Sequence, residues 1–339
     1  MEFQIPIKIP VWKDTIRYGQ KLMLVGSCFT EHIGDRLNTL KFDVLQNPHG
    51  ILFDPQSVAS SLSSYIKPHL YQKEELFYYN ELWQSWQHHS RFSGLEKTSV
   101  LQAINDQQIQ AHSFLNQADW LIITLGSSFS YRLTALVDAI HAPNGSGTAV
   151  ANCHRAPSQW FQKHMMGINE TYHALKSSIN ALREFNPRLK IIFTISPVRH
   201  IRDGIVENNQ SKARLIEVVH QLELETASVY YFPAYELVMD VLRDYRFYDI
   251  DLVHPNYAAT RFVMEHFMQH CVDADTRIIS EEVQQIVTAR NHKAFQPNTE
   301  AHQKFLQSFL EKTKQLAAAN PYLNFEEELI YFSESRIGS

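Results

Sequence analysis

The chain predicts an α/β fold with a parallel sheet, on three observations. Five short runs are apolar on both faces, stretches of helical period alternate with them, and 339 residues at 44% hydrophobic content suffice for a substantial interior. Strands apolar on both faces belong inside a parallel sheet, and alternating β and α elements imply right-handed crossovers.

The elements follow in order. KLMLVG (21–26) reads as the first strand, closed by a tight Gly26-Ser27 turn into an amphipathic helix over 30–40. KFDVLQ (41–46) is the second strand and 55–66 the second helix. Residues 67–98 break the period and are dense in aromatics, which read either as the lining of an acyl or sugar pocket or as a satellite hydrophobic cluster. A helix over 99–117 leads to the third strand, DWLIITLG (119–126), and 127–156 form a second irregular insertion. A helix over 158–185, the strand LKIIFTIS (189–196), a helix over 209–226, the strand VYYFPAY (229–235) and a helix over 256–272 complete the alternation. These make one α/β domain over 1–275. Helical patterns at 281–292 and 300–319 mark a C-terminal extension over 276–339, expected to pack on the core because its apolar stripes need a surface to cover.

Composition narrows the function. A net charge of −5, with Lys and Arg scattered, leaves no basic surplus for a phosphate backbone, so nucleic acid is excluded as a partner. Cys28, Cys153 and Cys271 are odd in number, widely separated and without a C-x-x-C pair, which fits a reducing compartment rather than a disulfide framework. MEFQIPIKIP lacks the pattern of a signal peptide and no run is long enough to span a membrane, so a soluble cytoplasmic protein with no membrane partner is expected. His88, His89, His154 and His200, with Cys153, lack any tight ligand spacing, and neither a metal nor a cofactor is expected.

Three residues carry the chemistry. Ser27 follows a strand and opens a helix, where unpaired N–H groups favour developing negative charge. A serine needs an imidazole to take its proton and a carboxylate to orient that imidazole, and Asp251-Leu-Val-His254 supplies both from one turn. Each also has a plain reading. Ser27 or Thr30 could cap the helix, Asp251 could cap another, and His254-Pro255 could start one. Cys28 is a rival nucleophile, but one helical step turns its side chain by about 100°. Among candidate substrate contacts, Arg199 and His200 end a strand at the carboxyl edge that Ser27 shares, Arg246 precedes the Asp251 turn, and His154 follows Cys153. Asn208, Ser211 and Lys212 read as the start of a helix.

Seven blocks, GSCFT (26–30), NPHGILFDP (47–55), NCH (152–154), SPVRH (196–200), FPAYE (232–236), RDYRFY (243–248) and DLVHP (251–255), closely resemble the GSCFA family, itself similar to a branch of the SGNH (GDSL-type) hydrolases. The resemblance implies Ser27 as nucleophile, His254 as general base and Asp251 as the orienting carboxylate. It implies a flavodoxin-like three-layer α/β/α fold with sheet order 2-1-3-4-5, whose switch point lies where Ser27 emerges. It also implies an oxyanion hole in which the N–H groups of Ser27 and Gly50 take part. The chain departs from the wider pattern after the third strand, where Gly126-Ser127-Ser128 stands without the usual asparagine. A lost donor costs about 10²–10³ in rate. Asn152 is favoured as its replacement over the hydroxyls of Ser127 and Ser128, because an amide NH₂ is a fixed donor.

The expected activity is hydrolysis of an O-acyl ester, such as an acetate on a carbohydrate or small metabolite, through an acyl-enzyme. An O-acyltransferase of the same chemistry, a non-catalytic glycan-binding module and a zinc hydrolase are the alternatives.

Overall fold

The computed structural model describes residues 5–334. In chain order its first half runs β1 (Lys21–Gly26), α1 (Cys28–Thr39), β2 (Asp43–Gln46), α2 (Pro55–Ile66), β3 (Phe77–Tyr79), β4 (Leu82–Gln84), α3 (Lys97–Gln117) and β5 (Trp120–Leu125). There follow β6 (Phe129–Leu133), β7 (Ala149–Val150), β8 (Phe161–Met165), α4 (Ile168–Phe185), β9 (Lys190–Ile195), α5 (Ile205–Glu225) and β10 (Val229–Tyr231). The short α6 (Ala234–Glu236) continues as a wider π turn over Leu237–Leu242, and α7 (Tyr257–Cys271), α8 (Ala274–Arg290), α9 (Glu300–Ala319) and α10 (Glu326–Glu334) close the chain.

The central sheet is parallel throughout, in the order β10-β9-β5-β1-β2. Counted among its own five strands this is 2-1-3-4-5, with the reversal between β1 and β5. Period-2 alternation sends Met23, Val25, Leu121 and Ile123 to one face, where they pack with Val58, Leu62, Leu115, Leu175, Ile179 and Leu215 from α2 to α5. Leu22, Leu24, Trp120 and Ile122 point the other way, onto Phe29, Ile33 and Leu37 of α1 and Val263, Met264 and Phe267 of α7. Three layers result because strands apolar on both faces require helices on both. Local chemistry starts the helices: Asp54 accepts the Ser57 N–H at 3.0 Å ahead of Pro55, and Asn256 accepts the Ala259 N–H at 3.2 Å.

The insertions are more regular than their sequence suggests. β3 and β4 form a hairpin whose turn residues Asn80 and Glu81 both have positive φ, 50° and 63°, without the glycine that would announce it. The aromatics here form a satellite core: Phe77 and Trp86 stack at 3.8 Å and are buried with Trp160 and Leu133. β6, β7 and β8 pair as a separate antiparallel sheet. The helix expected over 158–185 therefore begins only at Ile168, because 161–165 pair with a strand some thirty residues earlier. The strand expected over 229–235 stops at Tyr231, two residues before Pro233. α5 starts at Ile205, after Gly204 at φ 111°, so Asn208, Ser211 and Lys212 lie inside the helix and buried, not at its cap.

α8, α9 and α10 enclose a cluster of their own, including Ile286, Leu306, Leu310, Phe325 and Phe332. Glu328 in α10 is buried, with its carboxylate 2.9 Å from Lys41 Nζ and 3.1 Å from Arg290 Nη1. Tyr18 joins this cluster to the sheet domain: it stacks on Phe42 and donates to the Leu40 carbonyl at 2.7 Å. Among the described residues, no helix is long and apolar enough to cross a membrane.

Candidate active site

β1 delivers Ser27 to the carboxyl edge of the sheet through a turn that only glycine can make. Gly26 has φ 145°, and a Cβ there would come 2.1 Å from the Thr124 carbonyl oxygen. Ser27 then occupies the N-cap position of α1, yet its hydroxyl makes no capping bond. Oγ is fully buried and has no hydrogen-bond partner among the described residues. The cap that would explain this serine structurally is thus not made.

Asp251 and His254 sit on the turn before α7. His254 Nδ1 is 2.6 Å from Asp251 Oδ2, and the N–H groups of Val253 and His254 donate to Oδ1 at 2.9 and 3.0 Å. Those three bonds, the His254 ring first, hold the Asp251 carboxyl down at about 2. In the neutral form of the ring the carboxylate selects the tautomer with the proton on Nδ1, and Nε2 has no partner among the described residues. Leu252, between them, has φ 59°, a left-handed conformation costly for a residue with a branched side chain. Hydrogen bonds from Asp249 N to the His254 carbonyl at 2.8 Å and from Leu252 N to the Asp249 carbonyl at 2.9 Å keep the turn shut.

Two contacts carry this turn to Ser27's edge. Arg199 N, four residues past the end of β9, donates to the Val253 carbonyl at 3.1 Å. α7, which follows the turn, packs in the same apolar layer as α1, which Ser27 opens. No hydrogen bond joins Ser27 Oγ to His254 in this structure.

The donors expected for an oxyanion are largely committed elsewhere. Ser27 N–H donates to the Thr124 carbonyl at 3.0 Å and Gly50 N–H to the Asn47 carbonyl at 2.7 Å. The Ser127 and Ser128 hydroxyls both meet Ser211 Oγ, at 3.2 and 3.1 Å, and so tie β5's exit to α5. Asn152 Oδ1 accepts the His154 N–H at 2.8 Å, which makes the residue a turn former in the insertion.

Of the expected substrate contacts, His200 lies against Gly126 at the end of β5. Its Nε2 is buried without a partner and would stand 3.3 Å from a Cβ on Gly126. Burial first, then the charges of Lys212 and His254, push the His200 ring down to about 3, so it is neutral. Arg199 lays its guanidinium over Tyr248 at 4.3 Å and lines a cavity of about 350 Å³ with Asn209, Tyr235, Met239, Asp240 and Arg243. His154 and Arg246 are turned to other tasks. His154 Nε2 meets the Ser85 carbonyl at 2.8 Å among the insertion aromatics, and the exposed Arg246 pairs with Asp244 at 3.5 Å beside a different cavity.

Two buried groups have roles the sequence reading does not give them: there Lys212 is only part of a helix start, and His49 is not singled out. Lys212 Nζ donates to the carbonyls of Gly126 and Ser196, both at 2.6 Å, clamping the exits of β5 and β9 together, and burial pushes its ammonium down to about 7. His49 stacks on His88 at 4.2 Å and bonds Tyr65 Oη at 2.8 Å, bracing the turn that holds Gly50. The signal for Lys212 was the i, i+3, i+4 row Asn208, Ser211, Lys212, one helix face that is wholly polar and wholly buried. Cys28, beside Ser27, has its thiol pushed up by burial and by Glu31, which keeps it protonated. Among the described residues, no group of three His, Cys, Asp or Glu is arranged to hold a metal ion.

Comparison with known proteins gives a match to the GSCFA family over residues 21–267 and to the GSCFA domain protein, C-terminal domain, over 283–335. No curated protein matches. Similar solved structures include a carbohydrate esterase family 3 protein from Talaromyces cellulolyticus, at 11% identity and a TM-score of 0.34, covering 79% of this chain and 98% of the other. The Clostridium thermocellum family 3 carbohydrate esterase is similar at 10% identity and a TM-score of 0.34, covering 74% and 94%. An acetyl xylan esterase from the rumen bacterium Butyrivibrio proteoclasticus has 10% identity and a TM-score of 0.35, covering 76% and 64%. Likenesses this distant carry nothing about chemistry, which rests on the chain's own residues.

Proposed function

The chain belongs to the GSCFA family, and from that premise we propose that it is a serine hydrolase cleaving O-acyl esters of a carbohydrate or small metabolite. The observation that carries the reading is the uncommitted Ser27 hydroxyl, which stands at a helix N-cap without capping it. A buried hydroxyl without a partner costs about 1–3 kcal/mol, and such exceptions concentrate where chemistry needs them. The Asp251–His254 pair, with Nε2 unpartnered, supports the same reading from the other side of the edge.

In the reaction, Ser27 Oγ bonds to the acyl carbon as its proton passes to His254 Nε2 and the carbonyl π pair moves onto oxygen. Collapse returns that pair, breaks the bond to the alcohol oxygen and sends the His254 proton to the departing alkoxide. Water, deprotonated by His254, then attacks the acyl-serine, and collapse breaks the bond to Ser27 Oγ, which takes the His254 proton back as the acid leaves. Asp251 orients the imidazole and stabilises the imidazolium. Ser27 is closed to solvent here, so the side chains over it shift when an ester enters. The polar and aromatic cavity of about 350 Å³ beside the His254 turn has the size and chemistry for the alcohol part, such as one sugar unit.

The test is a fluorophosphonate trap with peptide mapping, together with a panel of acyl esters of increasing length. Label on Ser27, and a loss of about 10⁴ or more in turnover for Ser27→Ala, are the expected results. Unimpaired turnover of Ser27→Ala on an accepted ester would end the proposal.

A further inference from the structure

Ser27 Oγ is not the only stranded polar atom at this edge. Asn47, just past the end of β2, is fully buried, and its Nδ2 has no hydrogen-bond partner among the described residues. Everything else on the residue is engaged. Its N–H donates to the Leu24 carbonyl at 2.8 Å, its carbonyl accepts the Gly50 N–H at 2.7 Å and the Arg91 guanidinium, and Oδ1 accepts the Gly26 N–H at 2.9 Å. The last of these bonds decides how the amide faces. An N–H needs an oxygen acceptor, so Oδ1 is on Gly26 and the NH₂ is on the other edge of the group. The backbone at φ 45° is one that asparagine tolerates better than most residues.

The amide is thereby held on the Gly26 N–H, one residue before Ser27. Two buried N–H donors without an acceptor, on a side chain hydrogen-bonded to Gly26, one residue before a buried hydroxyl that also has no partner, make a site prepared for negative charge that is not yet there. The N–H groups of Ser27 and Gly50 and the hydroxyls of Ser127 and Ser128 are bonded to other groups, and Asn152 forms a turn in the insertion, whereas these two donors are free and beside Gly26.

We propose that Asn47 Nδ2 donates to the oxyanion formed at Ser27. It takes over the task left open by Ser127-Ser128 from the opposite neighbour of β1, so that the carbonyl oxygen of the ester lies toward β2 rather than β5. This rests on Ser27 acting as the nucleophile. When the Ser27 Oγ–carbon bond forms and the carbonyl pair localises on oxygen, Asn47 supplies a fixed dipole to that oxygen without transferring a proton, and the bond weakens again on collapse.

Asn47→Asp is the sharpest variant, because an oxygen remains for the Gly26 N–H while the donor is gone. The expected result is a turnover lower by about 10²–10³ with KM changed less than about threefold, and a parallel loss of affinity for an alkylboronic acid, which forms a tetrahedral anionic adduct with serine. A purely structural role would not single out the tetrahedral anion. A crystal structure of the wild type carrying a phosphonate on Ser27 tests the same point without a variant: Nδ2 is expected about 2.7–3.1 Å from an adduct oxygen. Turnover of Asn47→Asp within threefold of wild type, or Nδ2 out of hydrogen-bonding reach in the adduct, overturns the assignment while Ser27 stands. A wild type that neither hydrolyses esters nor takes the label overturns both.

Discussion

Gly26, Ser27 and Leu252 show how single residues are held for a purpose. Gly26 is excluded from carrying any side chain by the Thr124 carbonyl 2.1 Å from where a Cβ would be, and so the hydroxyl that follows it emerges at a defined point. Leu252 accepts a left-handed backbone so that the Asp251 carboxylate can reach both the His254 ring and two N–H groups. Asp251→Asn is predicted to lower turnover by about 10³–10⁴, since an amide can present N–H to Nδ1 and so favour the wrong tautomer. Steady-state kinetics on an accepted ester check this. Because the Asp251 carboxyl is held down at about 2, it stays ionised from pH 4 upward, and no second acid limb from this residue should appear in the pH–rate profile.

The elements matter through what they clamp. α5 carries a buried polar row in which Asn208 Oδ1 receives the His200 N–H at 2.9 Å, Ser211 receives Ser128 N–H at 2.7 Å, and Lys212 bridges the ends of β5 and β9. One helix face thus sets three loops at the carboxyl edge. The lysine has a measurable consequence. Its folded-state value of about 7 lies below the unfolded value of about 10.4, so between these the unfolded chain binds more protons and stability rises with pH. Urea midpoints at pH 7 and 9 should therefore rise for the wild type, and the part of that rise due to this residue should vanish in Lys212→Met. An identical slope in both proteins would show that the ammonium is not desolvated as described.

At the scale of the whole molecule, α1 and α7 bring the ends of the chain's logic together. Ser27 and Asp251 are more than two hundred positions apart, and they meet the same edge because the two helices share one apolar layer under the sheet. The C-terminal helices are fastened to that layer's rim. Glu328, almost entirely buried, has Lys41 from the sheet domain on one side and Arg290 on the other. Lys41→Ala is predicted to destabilise the protein by about 1–3 kcal/mol in urea unfolding, less than the loss of a sole partner would cause, because Arg290 remains. A change below about 0.3 kcal/mol would show that the pair is solvated like a surface bridge.

Periodicity and motif order carried much of this architecture. The five apolar runs became the five parallel strands, and the blocks around Ser27, Asn47–Gly50 and Asp251–His254 marked the family, because strands buried on both faces and glycine-dependent turns leave a local imprint on sequence. The small antiparallel sheet was invisible, since β6, β7 and β8 are short, half-exposed and defined only by partners far along the chain. The state of each polar atom was equally out of reach. That Ser27 does not cap its helix, that Ser128 is bound to Ser211, that Lys212 is buried and that Asn47 keeps an NH₂ in reserve depend on which groups packing brings within three ångströms, and no spacing along the chain encodes that distance.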